Sequence, residues 1–84
     1  MAIKYNINMF ETDHDDATKT FVTLLVTDDD GHAFGISKSV TTGSNTDAQI
    51  IKAAQTAAQT EIDNHFAKVA NVGKSWNPDT ESIE

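Results

Sequence analysis

The chain has 84 residues, 38% of them hydrophobic and six aromatic, which makes one domain near the lower limit for folding on a hydrophobic core alone. Thirteen acids against six lysines, with no arginine, give a net charge of −7, so direct binding to DNA, RNA or an anionic membrane is disfavoured. The absence of cysteine removes disulfides, thiolate nucleophiles and cysteine-held zinc or iron–sulfur centres.

The first predicted element is a strand, because Ile3, Tyr5, Ile7 and Met9 alternate with Lys4, Asn6 and Asn8. Glu11, Asp13, Asp15 and Asp16 then interrupt the alternation with turn-forming, self-repelling residues. Thr20 to Thr27 reads as the strongest strand, rich in β-branched and aromatic residues. Val22, Leu24 and Val26 share one of its faces while Phe21 and Leu25 take the other, the pattern of a central strand. Asp28-Asp29-Asp30-Gly31 supplies the Asp-Gly step of a hairpin turn. A third strand follows from His32 to about Ser39, with Phe34 and Ile36 on one face.

After a loop at 41–45, Thr46-Asp47-Ala48-Gln49 fits a capping box, with Thr46 as N-cap and Gln49 reaching back. The helical pattern runs to about Asn71, with Gly73 as its stop. Ile51, Ala54, Ala58, Ile62, Phe66, Val69 and Val72 fall on one broad face that can cover the sheet. The expected fold class is therefore α+β: a three-stranded antiparallel meander sheet followed by one long helix packed on one face, β-β-β-α. Residues 1–73 form the domain. Residues 74–84 form a tail, flexible or folded back through Trp76. The N-terminus lacks the apolar core of a signal peptide and no run approaches membrane-spanning length. A cytoplasmic protein of a bacterium or of a virus-infected host cell is expected.

Chemistry is hard to find. With Gly31 at the sixth position of a calcium-binding loop, Val26 and Ser37 occupy the first and twelfth, where oxygen ligands are required. Asp28–His32 therefore reads as an acidic hairpin turn. Gly73-Lys74-Ser75 resembles the end of a phosphate-binding loop, yet Lys68 stands where the other glycine belongs, and the segment ends a helix instead of opening one. No two of His14, His32 and His65 are spaced as a helical metal pair. His14 suits a solvated acidic loop, and His65, at the edge of the apolar helix face, suits a packed role. No catalytic, cofactor-binding or metal residue is assigned, and the chain is expected not to be an enzyme.

Binding remains. Consecutive meander turns lie at opposite ends of a sheet, so Glu11, Asp13, Asp15 and Asp16 form one negative pole, joined by Asp47, and Asp28, Asp29 and Asp30 form another. These seven loop and turn acids are the expected contacts for a basic protein surface. The outer helix positions Ala53, Ala57 and Thr60, together with Phe21 and Leu25 on the back of the sheet, are the expected self-association surfaces, with a homodimer as the form. The expected function is a small acidic, non-enzymatic binding protein that blocks or modulates a basic surface. An inhibitor of a nucleic-acid-handling enzyme, encoded by a mobile element or phage, fits that description. The alternative is a self-associating structural or assembly subunit, for example of a virion, whose acidity serves only solubility.

Overall fold

The computed structural model describes residues 2–84; the first residue of the expected 1–73 domain lies outside them. Three strands, β1 (Lys4–Thr12), β2 (Lys19–Thr27) and β3 (Ala33–Thr41), form an antiparallel sheet of order β1-β2-β3. A 23-residue helix, α1 (Asp47–Val69), follows and packs on one face of the sheet. The tail adds a two-residue pair, β4 (Trp76–Asn77) and β5 (Ser82–Ile83), which form a second small sheet. The β-β-β-α order and the central position of β2 agree with the sequence pattern.

Each boundary has a local cause. The β2–β3 turn closes through Asp28 and through Gly31, whose φ of +87° is costly for any residue with a Cβ. At the start of α1 the Gln49 backbone N–H donates to the Thr46 hydroxyl oxygen, and the Thr46 N–H donates to the Gln49 side chain. Both halves of the capping box are therefore made. At the other end, Ala70 caps the helix and Gly73, with φ of +94°, turns the chain away.

The core lies between the sheet and α1. Val22, Leu24 and Val26 are buried from β2 and Ile36 from β3, against Ile50, Ala54, Ala58, Ile62 and Phe66 of α1. Two expectations need correction here. Ile50, not Ile51, supplies the buried isoleucine of the first turn, while Ile51 and Val69 are only half-buried and Val72 lies beyond the helix, exposed. The buried row climbs in steps of four, and such a row is inclined to the helix axis. Second, β1 contains an irregularity between Ile7 and Met9. Tyr5 and Ile7 sit opposite Val26 and Leu24, on the helix side. The extra residue then flips the alternation, so Phe10, opposite Val22, takes the core side and Met9, opposite Thr23, faces the back.

The helix runs antiparallel to β3. Lys38 pairs with Glu61 at 2.6 Å, and further back along the strand Phe34 stacks on His65 with ring centroids 4.4 Å apart. It lies over β3 and β2, and β1 stands further from it, reaching the core through the side chain of Phe10. No helix or strand among the described residues covers the back of the sheet, and its polar residues, such as Thr23 and Ser37 in mutual hydrogen bond at 3.1 Å, dilute the half-buried Phe21 and Leu25.

Candidate functional site

The loop between β1 and β2 builds the first acidic pole, and its carboxylates divide into two kinds. Asp13 is occupied by its own fold: it accepts the Asp15 backbone N–H at 2.8 Å and the hydroxyl of Ser39 from β3. Those bonds, the Ser39 hydroxyl first, hold its carboxyl below the ordinary range. Asp16 is likewise engaged, accepting the Thr18 hydroxyl at 2.6 Å and the Thr18 N–H at 3.0 Å. Its carboxyl is held low by the same two bonds, the hydroxyl first. Glu11 and Asp15 are exposed and point their charge outward. His14, also exposed, lies 3.4 Å from Glu11.

These residues surround an open cavity of about 420 Å³ on the back of the sheet, lined by Met9, Glu11, Asp13, His14, Asp15, Phe21 and Ser39. Its floor is apolar, from Met9 and Phe21, and its rim is acidic. Met9 reaches this floor only because of the β1 irregularity, so no alternation pattern places it there. Of the residues expected to bind a partner, the cavity gathers Glu11, Asp13 and Asp15. It also draws in Phe21, which the sequence assigned to self-association.

The second pole is built differently. The Asp28 side chain is only 1% exposed. One of its oxygens accepts the N–H groups of Asp30 at 3.0 Å and His32 at 2.8 Å, and the other lies 3.1 Å from His32 Nδ1. Burial opposes its charge, yet the bonds from the His32 backbone and ring outweigh that and keep the carboxyl below its ordinary range. Asp29 accepts the Ala2 backbone N–H at 2.9 Å. Asp29 and Asp30 are both exposed, so of the three consecutive acids only Asp28 is taken up by the turn itself.

Donor atoms of Asp28, Asp30 and His32 lie within 4.8 Å of one another, the one such trio among the described residues. One Asp28 oxygen already accepts two backbone N–H groups of the turn and the other faces the His32 ring, so the trio closes the turn on itself. Ala53, Ala57 and Thr60 lie exposed on the outer face of α1. Phe21 and Leu25 are half-buried on the opposite side of the molecule, so the five expected self-association residues do not form one surface. No helix among the described residues is long and apolar enough to cross a membrane. No family model, curated protein or solved structure matches the chain at a significant level.

Proposed function

We propose that this chain is a non-enzymatic binding protein that takes up a basic protein surface at its first acidic pole. One observation carries the reading: the cavity that joins an apolar floor, Met9 and Phe21, to the outward carboxylates of Glu11 and Asp15. A lysine or arginine side chain has that same division, an apolar stem below a charged head. The ring of Phe21 adds a face for the cation. The engaged carboxylates of Asp13 and Asp16 fix the loop, so the outward pair is presented on a preformed rim. The action proposed is to occupy a basic groove of a nucleic-acid-handling enzyme and so block or modulate it.

Affinity capture from host lysate tests this with three baits: the natural chain, the Glu11→Gln/Asp15→Asn double variant, and Asp30→Asn. A basic protein held by the first and third baits and released by moderate salt is the expected result. Equal capture by the double variant would contradict the assignment.

A further inference from the structure

We propose that the C-terminal hairpin is a docking arm for a second copy of this chain, and that its seat is the uncovered stretch of β1 at Tyr5 and Ile7. Both surfaces are apolar, and among the described residues neither is covered by another part of its own chain. Because α1 lies over β3 and β2 only, Tyr5 and Ile7 stay 37% and 54% exposed on the helix side. Their neighbours Ile3 and Phe10 pack against the core, so the exposed pair extends an existing apolar layer outward.

The arm is preformed. Ser75 and Glu84 exchange backbone hydrogen bonds at 2.9 and 2.8 Å, and Trp76 sits directly opposite Ile83. Paired residues share a face, so these two side chains make one apolar knob. They are 61% and 52% exposed, and among the described residues the backbone of β4 and β5 lies close to no other strand or helix.

Position favours a second copy over the arm's own sheet. The helix runs antiparallel to β3, so it delivers the arm to the end of the sheet where β1 begins, with Tyr5 opposite Val26. The molecule is 55 Å long, against roughly 34 Å for a 23-residue helix at 1.5 Å per residue. With the backbone of β4 and β5 close to no strand of the large sheet among the described residues, the arm stands off the shelf instead of lying on it. A two-fold axis near that end lets each copy place its arm on the other's shelf, an exchange that closes without forming a chain of subunits. Two such contacts, each burying a tryptophan, bring the interface to on the order of 1,000 Å², the lower bound for a specific one. Both copies carry −7, so the attraction is apolar and self-association strengthens as salt screens their repulsion. Capture of a basic partner responds to salt in the opposite direction.

Light scattering at tens of micromolar should give twice the 9.1 kDa chain mass, and Trp76→Ser and Ile7→Ser should each weaken the dimer at least about tenfold. Both residues are exposed, and an unchanged thermal midpoint checks that the variants stay folded. The chain has no cysteine, so mixed Ile7→Cys and Ile83→Cys chains report where the copies meet. A disulfide-linked heterodimer under mild oxidation is expected. A monomer at these concentrations, a dimer indifferent to Trp76→Ser, or an Ile7→Cys/Ile83→Cys chain that closes on itself at monomer mass would each overturn the proposal.

Discussion

The backbone N–H of His32 lies 2.8 Å from a carboxylate oxygen of Asp28, and the His32 ring nitrogen lies 3.1 Å from the other. That relationship turns an acid in a negatively charged turn into the turn's internal fastening. Asp28→Ala should therefore lower the denaturation midpoint, whereas Asp30→Asn should leave it nearly unchanged. The folded carboxyl titrates below its ordinary value of 3.8, so its contribution is fully present above that range and is lost as pH falls through the folded value. The gap between the natural chain and Asp28→Ala should accordingly be wide near neutrality and narrow in acid. A gap that is constant with pH would mean the charge is not what fastens the turn.

Helix substitutions separate the core face from its flanks. Ile50→Ala and Ile62→Ala should each cost about 2–5 kcal/mol, as truncations at fully buried sites do, since these side chains are 2% exposed. Val72→Ala, at a site 71% exposed, should fall within about 0.5 kcal/mol. Chemical denaturation that ranked Val72 with Ile62 would contradict the packing.

The helix start is a separate test. Thr46→Ala removes the hydroxyl that accepts the Gln49 N–H and should cost about 1 kcal/mol. Thr46→Ser should restore most of it. Equal stability of all three chains would show that the cap contributes nothing beyond the loop's own geometry.

The strands and helix were legible because β2 carries apolar residues on both faces and Thr46–Gln49 states its own boundary. What escaped the pattern has physical causes. The Met9-Phe10 doublet breaks the alternation of β1, but only the pairing with β2 shows where the extra residue sits and which of the two turns inward. Ile50 and Ile51 are adjacent and equally apolar, and only the packing shows that the buried row of steps of four, through Ala54, Ala58, Ile62 and Phe66, starts at Ile50. The two-residue strands β4 and β5 are too short to have a period. For the candidate site, the sequence located both acidic poles but could not sort their carboxylates. Whether an aspartate faces outward, as Asp15 and Asp30 do, or fastens its own loop depends on partners that the pattern does not choose: for Asp13 the Ser39 hydroxyl, 26 residues away, and for Asp28 the way the turn folds the N–H groups of Asp30 and His32 back onto it.

Metal addition probes the Asp28–His32 turn from another side. Because one Asp28 oxygen holds two backbone N–H groups of the turn and the other faces the His32 ring, the thermal midpoint should be the same with a chelator as with millimolar calcium or magnesium or micromolar zinc. A rise of several degrees with any of them would show a site engaged well above its dissociation constant.

Association kinetics with the captured partner test the proposed recognition most directly. Charges at the edge of an interface act mainly on the association rate, and salt screens them. The association rate should therefore fall steeply as salt rises, and Glu11→Gln/Asp15→Asn should lower it at low salt while Asp30→Asn leaves it close to that of the natural chain. An association rate indifferent both to salt and to the Glu11→Gln/Asp15→Asn change would contradict recognition through the first acidic pole.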